Sequence, residues 1–306
     1  MSTSASRSAR ERFIAFRRSL GPTPRLTKSQ VVVRGLTLAV YRSPGVPGVR
    51  PLVCVNGGLL YGHSLLWPAL SPLAGDRELI LYDQRGRGES AVPVDVDGST
   101  IGHDARDLVA LRHALGFRSW DVLGHSWGGG IAMLAAEEDR PGIKRLVLVN
   151  SVGPTSTWLD GLHDRALARL GPTERAVLHT LDPVSLHKGD PGVHSSYSRA
   201  IYPGWFGDPE LAQLIAAPRS VSAVGSVVSA RLRREGYDWT RLVRGVQAEA
   251  LVIHGGRDLL PTSVARELVA LIARSRLELL EGAGHMPFWE APEPFFASVQ
   301  SFLRTP

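Results

Sequence analysis

The 306-residue sequence predicts an α/β fold, a mostly parallel central sheet flanked by helices and carrying an inserted, largely helical cap. Three observations predict it. From residue 51 to residue 150, apolar runs alternate with amphipathic stretches, the pattern of parallel strands joined by right-handed crossovers. The alternation stops over 151–245 and resumes over 246–306. Finally, Gly124-His125-Ser126-Trp127-Gly128 stands between an apolar run and an alanine-rich run, where the chain turns from strand to helix in one step. The expected organisation is a core of residues 1–150 and 246–306, with 1–28 as an N-terminal tail and helix and 151–245 as the cap.

Met1 to Arg10 is Ser/Arg-rich and lacks the apolar centre of a secretory signal. It reads as a frayed tail leading into a helix over Glu11 to Leu20, with Phe13, Ile14 and Phe16 available to pack. Val31-Val32-Val33 and Leu36 to Tyr41 flank Arg34-Gly35 as a two-stranded hairpin. Pro44, Gly45, Pro47 and Gly48 make Ser43 to Arg50 a loop. Pro51 to Val55 is a buried strand that runs straight into Asn56-Gly57-Gly58-Leu59. Ser64 to Ala74 is expected as a helix, irregular around Pro68 and Pro72. Glu78 to Tyr82 is the next strand and ends in the charged turn Asp83-Gln84-Arg85-Gly86-Arg87-Gly88-Glu89-Ser90, where Asp83 and Arg85 are expected to brace the turn. Its glycines lack the Gly-x-Gly-x-x-Gly spacing of a dinucleotide site. Ile101, Ala105, Leu108, Leu111 and Leu115 give Thr100 to Leu115 helical periodicity.

Trp120 to Leu123 is the strand before the serine, the helix after it runs through Ile131 to Glu138, and Ile143 to Val149 is another buried strand. In 151–245 helical patches over Trp158 to Leu170 and Thr173 to Leu181 alternate with Gly/Pro punctuation, and no run reads as a buried strand. Ala250 to His254 and Arg276 to Leu280 are strands, and Ser263 to Ala273 and Pro292 to Leu303 are helices.

Composition narrows the function classes. Hydrophobic residues at 43% and charged residues at 21% are ordinary for a globular chain. The formal charge of +6 is carried almost wholly by scattered arginines, since lysine occurs only at Lys28, Lys144 and Lys188. Scattered charge without an aromatic-basic groove argues against a nucleic-acid partner. A single cysteine, Cys54, excludes an intrachain disulfide and any multi-cysteine metal site, and reads as a small buried strand residue. No apolar run reaches the roughly 18 residues of a membrane span. His63, His125 and His254 lack metal-ligand spacing. The expectation is a cytoplasmic protein with no membrane, metal or cofactor dependence, acting on a small molecule or short peptide, with its oligomeric state open.

A one-step turn from strand to helix strains the middle residue and needs small neighbours where strand and helix pass closely. Ser126 is thereby held out at the end of the sheet as a nucleophile. A serine hydroxyl needs a base, and that base needs an orienting acid. Asp258 follows one late strand in His254-Gly255-Gly256-Arg257-Asp258, and His285 follows the last in Gly282-Ala283-Gly284-His285. Both therefore gather at the carboxyl edge of the sheet with Ser126. Asp258 competes with a reading as the cap of the next helix, and Asn150-Ser151 leaves no acid after the preceding strand. The amides of Trp127 and Gly58 are the expected oxyanion donors.

These passages resemble the α/β-hydrolase superfamily, and within it the proline iminopeptidase-like branch. Asn56-Gly57-Gly58, Tyr82 to Ser90, Gly124-His125-Ser126-Trp127-Gly128-Gly129 and Gly284-His285-Met286-Pro287-Phe288-Trp289-Glu290 carry the likeness, which covers roughly 30–150 and 246–306. The resemblance implies the α/β-hydrolase fold, a helical cap over the catalytic edge, and removal of an N-terminal proline by an acyl-enzyme route without metal or cofactor. It also implies cap glutamates that anchor the substrate amine, in a Trp-x-x-Trp-Glu setting absent from this sequence. Asp208 and Glu210, after Trp205-Phe206, are the local candidates for that role. The first loop reads Asn56-Gly57-Gly58-Leu59-Leu60 where the family has His-Gly-Gly-Pro-Gly. Leu59, Leu60, Trp158, Trp205, Phe206 and Met286 are expected to line a substrate pocket, while Tyr197, Tyr202 and Trp239 suit either a pocket or the cap's own core. Three functions stay open: a proline iminopeptidase-like aminopeptidase, a carboxylesterase, and a non-catalytic binding scaffold.

Overall fold

A computed structural model describes residues 8–215, 217 and 220–304. The Ser/Arg-rich tail lies outside these residues as far as residue 7. Eight strands form one sheet: β1 (Thr27–Val33), β2 (Leu36–Arg42), β3 (Leu52–Val55), β4 (Leu79–Tyr82), β5 (Trp120–His125), β6 (Ile143–Val149), β7 (Glu249–Gly255) and β8 (Ser275–Leu280). Their order is β1-β2-β4-β3-β5-β6-β7-β8. β2 runs antiparallel to β1 and β4, and every other pairing is parallel. β3 to β6 carry apolar runs because both faces of a central parallel sheet are covered. β1, at the edge, alternates exposed and covered residues instead. The chain leaves β3 to one side for β4 and then crosses to β5 on the other. The carboxyl ends of β3 and β5 therefore flank a crevice, with Val55 registered on Gly124.

Three helices precede the excursion. α1 (Ala9–Ser19) begins at a capping box in which Ser8 and Glu11 bond each other's backbone. α2 (Ile101–Ala114) is capped by Thr100, and α3 (Trp127–Glu138) follows Ser126 directly. The single helix expected over Ser64 to Ala74 does not form; two short 3-10 turns, His63–Leu65 and Ser71–Gly75, stand there. Pro68 and Pro72 remove amide donors four residues apart, so no stretch between them can carry a helical ladder.

The excursion between β6 and β7 holds α4 (Leu162–Leu167), α5 (Pro172–Thr180), α6 (Pro183–Lys188), α7 (Pro191–Ile201), α8 (Pro209–Ala212), α9 (Ala223–Glu235) and α10 (Thr240–Arg244). Among the described residues its β-structure is one isolated bridge, Thr155 to Asp238. The expected helix over Trp158 to Leu170 is divided, because Gly161 takes a left-handed conformation between a 3-10 turn and α4. α6, α7 and α8 share one starting device: Asp182, Asp190 and Asp208 accept amides of the first turn, and a proline follows each.

After β7 come α11 (Thr262–Leu271), α12 (Pro287–Glu290) and α13 (Pro292–Arg304). The sheet is covered on both faces. α2, α3 and α11 bury Leu108, Ile131 and Leu268 on one face, while α1 and α13 bury Phe16, Phe295 and Phe302 on the other. Cys54 is buried in β3, and burial pushes its thiol up to about 12. No helix among the described residues is long and apolar enough to cross a membrane.

Candidate active site

Ser126 stands between β5 and α3 with φ 55° and ψ −122°, a conformation L-residues rarely adopt and one that costs about 1–3 kcal/mol. The flanking glycines explain how the strain is accommodated. A Cβ on Gly124 would collide with the backbone of Gly128 and Gly129, and one on Gly128 with the carbonyls of Val55 and Asn56. The turn itself is held by backbone bonds: Ser126 N–H donates to Val149 at 2.9 Å and its carbonyl accepts from Gly129 at 2.9 Å.

Asp258 follows β7 and His285 follows β8, and the two meet. His285 Nδ1 lies 2.8 Å from Asp258 Oδ2 and 3.0 Å from Oδ1. Both are buried, at 3% and 8% exposure respectively. The helix-capping alternative for Asp258 does not hold, since Pro261 occupies the cap position of α11 and no side chain caps that helix. Instead the carboxylate accepts Asn150 Nδ2 at 2.6 Å and the Leu260 amide at 3.2 Å. Burial pushes the Asp258 carboxyl up, but His285, His254 and Asn150 together hold it below the ordinary carboxylate value. Asn150, in the left-handed region at φ 44°, also donates to Gly284 at 3.0 Å, so it ties the acid to the histidine loop.

Two further supports hold His285. Its amide donates to the carbonyl of Trp205 at 2.8 Å, and its carbonyl accepts His125 Nε2 at 2.9 Å. Buried Glu290 accepts the amides of Gly284 (2.9 Å), Met286 (3.0 Å) and Gly207 (2.8 Å), clamping the loop on either side of His285. Arg169 donates to the carbonyls of Arg257 at 2.7 Å and Asp258 at 3.2 Å. His254 Nε2 sits 3.0 Å from the Leu260 carbonyl. No cluster of His, Cys, Asp or Glu among the described residues has metal-binding geometry.

The loop after β3 passes directly over the serine, because a Cβ on Gly57 would strike Ser126. Gly58 and Leu59 both take positive φ, 78° and 54°. Three side chains fix this loop. Asn56 Nδ2 donates to Tyr61 O at 2.8 Å, Gln84 Nε2 to Asn56 O at 2.8 Å, and Arg87 Nε to Leu59 O at 2.7 Å. Asp83 braces its own turn by accepting the amides of His63 and Glu89 at 2.7 and 2.8 Å. Arg85 does not act within the turn alone; it ties the turn to α2 through Asp107 at 2.6 and 2.7 Å. Trp127 opens α3, so its amide is one of the first four that lack an intrahelical acceptor.

Ser126, His285, Gly58 and Trp127 share the wall of one cavity of about 750 Å³, counting its mouth. Leu59, Leu60, Trp158, Trp205 and Met286 also line it, as do Tyr197 and Tyr202. Phe206 does not. It turns into the buried face beneath, edge-on to Tyr202 at 5.5 Å. Trp239 stacks on Tyr237 at 3.9 Å, away from the lining. Neither candidate amine anchor reaches the cavity: Asp208 caps α8 and Glu210 is exposed.

Sequence reasoning missed the polar wall built by α7 and α9, where His194, Ser198, Ser229 and Arg233 line the same cavity. Two buried imidazoles here make the fold acid-sensitive. Burial first, and then the His285 charge, lowers His125 to about 3; burial and then Arg233 lower His194 to about 4, against a smaller opposite pull from Asp190. The unfolded chain, with ordinary imidazoles near pKa ~6.5, binds protons that the folded chain refuses below that pH. Stability is therefore retained above about pH 6.5 and lost as pH falls towards the folded values, by up to ~1.4 kcal/mol per pH unit for each group. The melting temperature is expected to decline steadily from pH 6.5 to 4.5 and less steeply in His194→Leu; equal slopes in the two proteins would contradict this account.

A family model for the alpha/beta hydrolase fold matches residues 50–292. The chain is 30% identical over 268 residues to a proline iminopeptidase of Lactobacillus helveticus, covering 83% of this chain and 89% of that one. Among solved structures it is similar to the proline iminopeptidase of Mycobacterium smegmatis, with TM-score 0.67 and 23% identity over 90% of this chain and 97% of that one. It is also similar to an esterase from Exiguobacterium antarcticum, with TM-score 0.71 and 22% identity over 91% and 100% of the two chains.

Proposed function

The chain belongs to the alpha/beta hydrolase fold family, in its proline iminopeptidase-like branch, and on that premise we propose that it is a serine hydrolase cleaving an ester or amide of a small, fairly apolar substrate. The observation that carries the reading is the buried Asp258–His285 pair, 2.8 Å apart, whose histidine stands on the wall of the cavity into which strained Ser126 also opens. In the proposed route Ser126 Oγ attacks the substrate carbonyl and His285 Nε2 takes its proton. Asp258 holds Nδ1, which fixes the tautomer and offsets the charge that forms on the ring. The amides of Gly58 and Trp127 receive the oxyanion, each worth about 3 kcal/mol in the transition state. His285 then protonates the leaving group, and water deacylates the enzyme by the same steps. The route uses no metal and no cofactor.

The lining favours an ester over an N-terminal prolyl amide. An aminopeptidase must hold a cationic amine, yet among the described lining residues there is no Asp or Glu, and the charged one is Arg233. The test is to label the protein with a fluorophosphonate, map the adduct by peptide mass, and assay short acyl esters beside prolyl-anilide. The expected result is an adduct on Ser126 and at least about tenfold higher kcat/KM for the ester. Faster release from prolyl-anilide would return the chain to the aminopeptidase reading of its relatives. A folded protein with neither adduct nor turnover would be a binding scaffold instead.

A further inference from the structure

The polar wall of the cavity has no role in the route above, and its chemistry is specific. His194 and Ser198 lie four residues apart on α7, and Ser229 and Arg233 lie four apart on α9, so each pair presents one helical face to the cavity. The two helices pack on each other. His194 is 2% exposed, and neither of its ring nitrogens has a hydrogen-bond partner. An unpaired buried polar group costs about 1–3 kcal/mol, which a bound ligand would recover. Arg233 is exposed at the cavity wall and makes no ion pair within 4.0 Å among the described residues, although its guanidinium lies over the Tyr197 ring at 5.4 Å. The charge is thus free to act on an occupant of the cavity.

The wall is also remote from the reacting carbonyl. The start of α9 abuts the oxyanion loop, since a Cβ on Gly225 would strike the backbone of Leu59 and Leu60. Arg233 lies eight residues further on, about 12 Å along the helix axis at 1.5 Å per residue. Trp127 and Trp158, 5.5 Å apart, and Leu159 give the same cavity an apolar lining. The cavity is therefore chemically two-ended, with Gly58 and Trp127 towards one end, a cation and an unsatisfied imidazole towards the other, and apolar side chains in the same lining.

We infer that the substrate is an ester bearing a carboxylate remote from its scissile carbonyl, with the carboxylate held by Arg233 and His194 and an apolar spacer between. The inference rests on the serine-hydrolase reading for its chemistry but not for its binding. In solution the neutral imidazole N–H donates to one carboxylate oxygen, and the guanidinium supplies the opposing charge. Eight carbons, counted from the scissile carbonyl to the carboxylate, span about 9 Å when extended, and a charge-assisted hydrogen bond of about 2.8 Å covers the rest of the ~12 Å.

Two measurements test it separately. The first compares p-nitrophenyl esters of one chain length with a carboxylate end (the suberate half-ester), a methyl end (octanoate) and an ammonium end (8-aminooctanoate). Wild type is expected to prefer the carboxylate end over the ammonium end by at least about tenfold in kcat/KM, and Arg233→Met is expected to lower the carboxylate-to-methyl ratio by about tenfold. The second uses the full chain carrying Ser126→Ala and follows tryptophan fluorescence on adding monomethyl suberate or methyl 8-aminooctanoate. The suberate is expected to bind at least about tenfold more tightly, and Arg233→Met to erase the difference. Equal or tighter binding of the ammonium ligand, binding of neither, or a ratio indifferent to Arg233→Met overturns the inference. Selective suberate binding without a fluorophosphonate adduct would instead overturn the nucleophile and leave the carboxylate site standing.

Discussion

Replacing Ser126 with alanine is expected to lower turnover of the best ester by a factor on the order of 10⁴–10⁶. The substitution removes the attacking atom and leaves the rest of the site in place. The turn is held by the Ser126 amide on Val149 and the Ser126 carbonyl on Gly129, bonds that alanine keeps. Alanine meets the same backbone strain as serine, so the melting temperature should stay within a few degrees of wild type. Residual activity should reflect the amides of Gly58 and Trp127 and substrate positioning. Adding His285→Ala should then cost little more, because nucleophile and base act as a unit. The check is single-turnover kinetics on both variants with matched thermal melts. A Ser126→Ala protein within tenfold of wild type would remove the acyl-enzyme route.

The second large effect is expected from Asp258→Asn, a loss of about 10⁴ in kcat. The hydrogen-bond inventory gives the reason. The carboxylate serves two strong donors, His285 Nδ1 at 2.8 Å and Asn150 Nδ2 at 2.6 Å. Asparagine offers one acceptor oxygen and an NH₂ group in place of the other. Both donors converge on Oδ2, while Oδ1 accepts the Leu260 amide at 3.2 Å, so an amide oxygen at Oδ2 sets the NH₂ against Leu260 N–H, and an NH₂ at Oδ2 faces both donors. In the second orientation the imidazole shifts to the tautomer that places a proton on Nε2, where Ser126 needs a lone pair. The negative charge that offsets the forming imidazolium is lost in either orientation. Steady-state kcat with a thermal melt checks this, since fold and substrate binding should survive. A variant retaining a tenth of wild-type kcat would show that another group orients His285.

The sequence made the sheet legible because buried parallel strands are continuous apolar runs, and β5, β6 and β7 stand where Trp120 to Leu123, Ile143 to Val149 and Ala250 to His254 announced them. Gly124 and Gly128 were readable for a steric reason, since any Cβ there meets backbone. The excursion was harder. Its helices are short, and periodicity needs several turns to show. Their clearer signal was local, an aspartate before a proline at Asp182-Pro183, Asp190-Pro191 and Asp208-Pro209. That signal would also have identified Asp208 as a cap and not an amine anchor. Trp205 and Phe206 are neighbours of similar character that face opposite ways, which no composition rule separates. Asn150, Gln84, Arg87 and Glu290 escaped because a side chain that serves distant backbone leaves no spacing to recognise. His194 looked like an ordinary polar helix residue, and only the packing of α7 on α9 buried it on the cavity wall that exposed Arg233 also lines.

The bonds running from the excursion to the histidine loop have a consequence for engineering. Trp205 supplies the carbonyl that the His285 amide bonds, Gly207 shares Glu290 with Gly284, and Arg169 holds the carbonyls of Arg257 and Asp258. The seam between the two parts is thus made of the same backbone that sets His285 and Asp258. Excising 151–245, or transplanting the equivalent region of another hydrolase, would strip partners from His285 and Glu290 as well as from the substrate. The excursion is not a detachable module. A chimera that exchanges its specificity while keeping its reactivity has to cut inside it, sparing Arg169 and the run Trp205-Phe206-Gly207.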